Sequence, residues 1–281
     1  MTVSHPNPAT ITIGVLALQG AFSEHIQLLR AASRQYPNHT FYLLEIRTAE
    51  QLAQCDALII PGGESTTMSL VASRSNLLEP LRSFVKVLRR PTWGTCAGLI
   101  LLAESANRTK KGGQELVGGL DVRVRRNHFG RQQESFVKGL NLPFLSSGNQ
   151  DEKEQEPYRC VFIRAPVVEK ILPHKQEGEQ DGEKGLEDTV VAPSQTPGDE
   201  LARLELNAQV EVMATLGADT TNGEQGQGHE EIIAVRQGNV FGCSFHPELT
   251  NDARIHSWWL GEVVGAVERR RQFELADRTK V

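Results

Sequence analysis

Gly94-Thr95-Cys96-Ala97-Gly98 sets a thiol between two glycines, after the apolar approach Pro91-Thr92-Trp93 and before a helix-like run over residues 99–104. This is the G-x-nucleophile-x-G pattern of a strand–turn–helix elbow, with Cys where Ser is more common. The glycines have a steric reason. In so tight a turn, side chains beside the nucleophile would collide with backbone, and the nucleophile itself is held in a strained conformation. The N–H groups that open the following helix favour a negatively charged sulfur, the reactive form of a thiol. A buried Cys in a glycine-rich turn would read the same way, so the elbow calls for a second observation. Phe245-His246-Pro247-Glu248, after a strand-like run over residues 240–244, supplies it. A Cys nucleophile needs a base, usually His near neutral pH, and that base needs a partner on its other ring nitrogen. In extended chain residues i and i+2 point the same way, so Glu248 can reach the ring of His246. The implied chemistry is attack by Cys96 on an acyl carbon, with His246 as base and Glu248 as its orienting group. A His and a Glu in a surface turn are the alternative, which the elbow weakens.

These residues must be positioned by an alternation of strands and helices. Residues 11–18 form an apolar strand-like run, and Ser23 is placed to cap a helix through about residue 33. Residues 41–46 are β-like, 49–55 short and helical, and 57–60 a buried strand ended by Pro61-Gly62-Gly63. Helical runs follow over 65–73 and 77–88, before the elbow. Such alternation predicts an α/β fold, a doubly wound and largely parallel sheet flanked by helices. In these sheets ligands bind at the carboxyl ends of the strands, where Gln19-Gly20, Gly62-Gly63-Glu64-Ser65 and Cys96 all fall. The second half is richer in strands, at 120–126, 158–163, 204–216, 232–236 and 240–244, and a helix over about 251–274 closes the chain with Trp258 and Trp259 packed on the sheet.

Composition narrows the class. The 281 residues carry a formal net charge of −5, but residues 173–200 hold eight acids and two lysines, so the remainder is near neutral. No nucleic-acid surface is indicated, and Arg269-Arg270-Arg271 is most simply a solvated helical face. Cys55, Cys96, Cys160 and Cys243 are widely spaced, with no C-x-x-C pair. This fits neither a disulfide framework nor a zinc site, and it predicts a reducing, cytoplasmic setting. Residues 11–18 are too few for a membrane span or a leader, and no membrane association is expected. Three segments, near 146–156, 173–200 and 217–230, are polar and rich in Gly or acids, and they read as flexible loop insertions in a single domain over residues 1–281.

The motifs resemble a known family. Residues 14–25 (GVLALQGAFSEH), 58–68 (LIIPGGESTTM), 93–102 (WGTCAGLILL), 126–132 (RNHFGRQ), 162–166 (FIRAP) and 242–250 (GCSFHPELT) resemble, in order and across nearly the whole chain, the glutaminase subunits of pyridoxal 5'-phosphate synthase. These are class I, triad-type glutamine amidotransferases. The elbow and the His-Pro-Glu turn are general to that class, whereas LQGAFSEH, PGGESTTM and RNHFGRQ point to the vitamin B6 branch.

The resemblance implies a flavodoxin-like class I amidotransferase architecture with antiparallel additions. It implies hydrolysis of L-glutamine to L-glutamate and ammonia by a Cys96–His246–Glu248 triad, without metal or cofactor. Backbone N–H groups of Gly63 and Ala97 are the candidates for an oxyanion hole. Glutamine contacts fall on Gly63, Glu64, Ser65, Arg126, Ile163 and Arg164, whose types suit an amino-acid head group: arginine for the carboxylate, an acid for the ammonium. Glu64 could equally cap a helix beginning at Ser65, and the two arginines could make surface pairs. The role of Gln19 stays open, while His25 and His128 read as structural or interfacial. Ammonia would pass to a separate barrel-shaped synthase subunit in a hetero-oligomer. A glutaminase subunit of another class I amidotransferase, or a catalytically silent regulatory homologue, are the alternatives. The intact Cys, His and Glu argue against the second.

Overall fold

The computed structural model describes residues 10–107, 114–126, 128, 135–146, 156–173, 189–217 and 230–278. Most of the three expected loop insertions (147–155, 174–188 and 218–229) lies outside the described residues, as do residues 127 and 129–132 of the 126–132 motif.

Five strands form the parallel half of a large sheet. They are β1 (Thr10–Leu16), β2 (Thr40–Ile46), β3 (Ala57–Ile60), β4 (Thr92–Thr95) and, last in the chain, β13 (Val240–Cys243), in the spatial order β2-β1-β3-β4-β13. The short central strands β3, β4 and β13 are buried at every residue because both faces are covered. On β3, Leu58 and Ile60 point into one core and Ala57 and Ile59 into the other. One layer holds α1 (Phe22–Ser33) and α7 (Arg254–Arg278). The other holds α2 (Ala49–Leu52), α3 (Ser65–Arg74), α4 (Leu78–Arg82, continuing as a π turn through Val87) and α5 (Ala97–Leu102). Helices on both faces make this the doubly wound arrangement expected from the sequence.

Beyond β13 the sheet continues through strands whose mutual pairing is mixed. These are β5 (Ala103–Asn107), β6 (Leu120–Arg125), β9 (Val167–Ile171), β10 (Thr189–Val191), β11 (Val210–Leu216) and β12 (Glu231–Gln237). The order is β13-β12-β9-β6-β5-β10 with β11 also on β12, and only β5–β6 is parallel. A separate hairpin pairs β7 (Phe136–Leu140) with β8 (Tyr158–Phe162).

The structure amends several sequence readings. Ser23 lies inside the first turn of α1, whose N-cap is Ala21, and its hydroxyl bonds Glu24 instead. The helix after the elbow stops at Leu102, and residues 103–107 become a strand. The expected strand over 204–216 is two elements: α6 (Glu200–Leu206), capped by the Asp199 carboxylate on the Ala202 amide, and then β11. The 173–200 insertion is narrower than its composition suggests. Residues 189–191 add an edge strand to β5, and Ala192, 3% exposed, bonds through its amide to the Glu104 carbonyl. Trp258 and Trp259 do pack inward, on Phe241 and Trp93.

Candidate active site

Cys96 follows β4 directly and precedes α5, with φ 48° and ψ −100°. A β-substituted residue adopts this conformation only under strain, and here the turn compels it. The Cys96 amide donates to the Cys243 carbonyl at 2.8 Å, which fastens the elbow to β13. Both flanking glycines are sterically required. A Cβ on Gly94 would lie 2.5 Å from the Gly98 carbonyl carbon, and one on Gly98 2.0 Å from the Ile60 carbonyl oxygen.

His246 arrives from the end of β13, its amide held by the Val161 carbonyl at 2.8 Å. Glu248 lies in a single 3-10 turn, Pro247–Leu249, not in the extended segment assumed from its spacing. The turn still brings the carboxylate back onto the ring: Nδ1 of His246 meets Oε1 of Glu248 at 2.7 Å. The Cys96 side chain lies close enough to the ring to act on its pKa. Cys96, His246 and Glu248 are 6%, 8% and 3% exposed, so their mutual interactions are poorly screened. Burial alone would lower the pKa of His246, but the hydrogen bonds and charges of Cys96 and Glu248 outweigh it and push it up to about 10. Burial likewise opposes ionisation of Glu248, yet His25 and His246 hold it below the usual carboxylate range. Gly62 forms a wall of the site, since a Cβ there would sit 2.3 Å from Cε1 of His246.

The loop after β3 is clamped from β1. Oε1 of Gln19 accepts from the Glu64 amide at 3.2 Å, which gives Gln19 a role the sequence left open. Gly20, at φ +91°, lets the loop seat directly on the Gly62 carbonyl, where a Cβ would approach to 1.7 Å. Glu64 is the N-cap of α3 and accepts from the amides of Thr66 (3.1 Å) and Thr67 (2.7 Å). Ser65 is buried against Gln114 at 3.1 Å. Arg126 is 7% exposed. Burial lowers its pKa while the Glu64 charge pushes the other way, so the two opposite charges sense each other. The Ile163 carbonyl lies 3.9 Å from Sγ of Cys96, and the next residue, Arg164, is exposed with a strained φ of 46°. Ala97 is the first residue of α5, where a helix leaves its N–H without a helical partner. Gly63, on the loop beside Gln19, is exposed.

The other cysteines lie where burial disfavours the thiolate. Burial, together with the neighbouring Asp56, pushes the Cys55 thiol up to about 12; burial pushes Cys160 to about 12 and raises Cys243 as well. His128 pairs with Glu231. The basic run on α7 is not merely a solvated face: Arg270 binds Asp199 and the Leu88 carbonyl, and Arg271 the Thr10 carbonyl. His25 is fully buried, with Nε2 at 3.4 Å from Oε2 of Glu248 and Nδ1 at 3.0 Å from Nε2 of His256. The sequence reading of His25 as structural missed this contact with Glu248. His256 stood in no motif that could have signalled it. Among the described residues no cluster of His, Cys, Asp and Glu could hold a metal ion, and no helix is long and apolar enough to cross a membrane.

Residues 15–202 and 209–265 match the SNO glutamine amidotransferase family. A probable pyridoxal 5'-phosphate synthase subunit (PDX2) of Arabidopsis thaliana is 43% identical over 250 residues, 89% of this chain and 85% of the relative. The pyridoxal 5'-phosphate synthase subunit PdxT of Herpetosiphon aurantiacus is 37% identical over 89% of this chain and all of its own length. A probable subunit of the same synthase, SNO3 of Saccharomyces cerevisiae, is 35% identical over 91% of this chain and 97% of its own. A crystal structure of a glutamine amidotransferase superposes with a TM-score of 0.58 at 33% identity, covering 89% of this chain and 98% of that one.

Proposed function

Since the chain belongs to the SNO glutamine amidotransferase family, and is thus a glutamine amidotransferase enzyme, we propose that Cys96, His246 and Glu248 are its glutaminase triad and that it serves pyridoxal 5'-phosphate synthesis. The observation that carries the reading is the alignment of Cys96, His246 and Glu248 at the carboxyl ends of β4 and β13, with the opposed charges of Glu64, on the loop after β3, and Arg126, at the end of β6, close enough to interact.

Glutamine binds with its side-chain amide over Cys96. Arg126 and Arg164 receive its α-carboxylate and Glu64 its α-ammonium, while Gly63, Ser65 and Ile163 form the wall. Capping α3 does not exclude this role for Glu64: Thr67 occupies Oε2 through its amide and its hydroxyl, but Oε1, which accepts from the Thr66 amide, has a further lone pair. The Cys96 sulfur attacks the amide carbon as His246 holds the thiol proton. The oxyanion is received by the amides of Ala97 and Gly63, which cost no reorganisation as charge develops. The C–N bond then breaks, His246 protonates the departing nitrogen, and ammonia leaves a thioester on Cys96. Water, deprotonated by His246, cleaves the thioester to glutamate and restores the thiol. Glu248 keeps the ring oriented and stabilises its protonated form. None of these steps calls for a metal or cofactor.

The ammonia passes to a separate barrel-shaped synthase subunit, in a cytoplasmic hetero-oligomer. The test is glutamate release from glutamine, measured for the chain alone and with a candidate synthase subunit. Turnover that rises on mixing and disappears in Cys96→Ser supports the reading; no glutamate release in either case defeats it.

A further inference from the structure

Two buried histidines stand behind the triad. His25 comes from α1 and His256 from α7, both 0% exposed. They meet beneath the end of β4, around Trp93, with ring centroids 5.5 and 4.8 Å from the indole. Nε2 of His25 lies 3.4 Å from Oε2 of Glu248 and 3.4 Å from Oγ1 of Thr95. Nδ1 of His25 lies 3.0 Å from Nε2 of His256. Oε1 of Glu248, by contrast, makes the tight 2.7 Å bond to His246. Oε2 has no partner of that quality; the His25 contact is an ion-pair distance without hydrogen-bond alignment.

The proton positions follow from what each atom can do. An ionised carboxylate only accepts, so the tautomer of His25 that can bond Oε2 is the one with its hydrogen on Nε2. Burial pushes the pKa of both histidines down to about 3, which keeps both rings neutral at physiological pH. A neutral His25 protonated on Nε2 offers Nδ1 as an acceptor. His256 must then donate from Nε2 and leave its own Nδ1 bare. Nδ1 of His256 is indeed a buried atom without a partner, a place where an unused acceptor is tolerated better than an orphaned N–H.

We propose that His25, itself held by His256, is a positioning residue for the triad: it binds the second oxygen of Glu248 and thereby fixes the carboxylate that orients the His246 ring. This rests on the triad reading above. Among the described residues, no hydrogen bond or ion pair joins either histidine to Cys96 or to the proposed glutamine contacts. Their removal therefore acts on turnover and leaves substrate affinity in place. The groups facing the pair are Glu248, Thr95, Trp93 and, across the carboxylate, His246. The long His25–Glu248 contact is of the kind that tightens in a working complex.

Three full-length variants test the relay alongside the wild-type chain, each assayed with a synthase subunit. His25→Leu removes the donor, His25→Gln keeps an N–H near the Nε2 position, and His256→Phe keeps the ring volume. His25→Leu is expected to lower kcat by roughly 10- to 100-fold, the range for losing an outer hydrogen-bond partner of a site histidine, with KM for glutamine unchanged. His25→Gln should recover most of that loss, and His256→Phe should fall between. The pH profile of Cys96 alkylation by iodoacetamide should move in His25→Leu and not in His25→Gln. Nitrogen-15 spectra of wild-type histidines give a readout free of folding effects and of glutaminase activity: His25 should be neutral with its proton on Nε2. A wild-type kcat and alkylation profile in His25→Leu would overturn the relay, as would a proton on Nδ1 of His25. A wild-type protein that releases no glutamate defeats the glutaminase reading instead, while the spectra and alkylation still decide the relay.

Discussion

At the residue scale, the four cysteines differ in their surroundings. Burial raises the pKa values of Cys55, Cys160 and Cys243, whereas Cys96 sits beside His246 and raises the pKa of its ring. A glutamine-analogue electrophile should therefore label Cys96 and spare the other three, as peptide mass spectrometry would read; even labelling would refute the assignment. Cys96→Ser should abolish glutamine hydrolysis, by at least about 10³-fold on the precedent of other triads, without shifting the thermal midpoint. Gly62 gives a sharper geometric test. Because a Cβ there would lie 2.3 Å from Cε1 of His246, Gly62→Ala must displace the ring or the loop. A displacement of about 1 Å in a catalytic group costs roughly 10²-fold in rate, so a Gly62→Ala protein with near-normal kcat would contradict this packing.

At the scale of elements, the edge of the sheet is held by buried charge. Nζ of Lys86, on the π turn after α4, lies 2.7 Å from Oε1 of Glu104 on β5 and donates to the Pro193 carbonyl at 2.8 Å. The same Glu104 oxygen accepts from the Gly119 amide at 2.7 Å. One cation thus joins the π turn, β5 and the chain leaving β10, and the Lys86 side chain is only 5% exposed. Lys86→Met would leave the Glu104 carboxylate uncompensated. Removing one partner of such a pair costs about 3 kcal/mol or more, which urea denaturation would detect; a loss below about 1 kcal/mol would show that water replaces the lysine. Little in the sequence signals β10, since Thr189-Val190-Val191 beside an acidic, glycine-rich stretch do not reveal their pairing to β5.

At the scale of the whole molecule, opposing histidines shape stability against pH. His25 and His256 have folded pKa values near 3, below the ordinary 6.5. Their contribution is present above about pH 6.5 and declines as pH falls toward 3, because the unfolded chain takes up the protons. The slope is about 1.4 kcal/mol per pH unit for each histidine. His246 runs the other way: with a folded value near 10, its contribution is complete below about pH 6.5 and is lost as pH rises through 10. Stability should therefore peak near neutrality and fall on both sides. His256→Phe should flatten the acid limb, as urea midpoints at pH 5 and pH 7 would show; an unchanged acid slope would mean that His256 is protonated in the folded protein.

The candidate site and the parallel half of the fold were legible in the sequence alone. The elbow around Cys96, the His246–Glu248 turn and the alternation that builds β1 to β4 are local arrangements, and glycine placement and apolar periodicity express local sterics directly. Only the tertiary structure decided what stands behind Glu248. His25 and His256 are 231 residues apart in the chain, and each reads as an ordinary helical histidine until α1 and α7 pack on the same face of the sheet. The same holds for Arg270, whose partner Asp199 lies 71 residues away, and for the helix over 200–206, whose cap and docking decide against a strand. Burial and long-range pairing are properties of the assembled layers, and a single sequence carries no local mark of them.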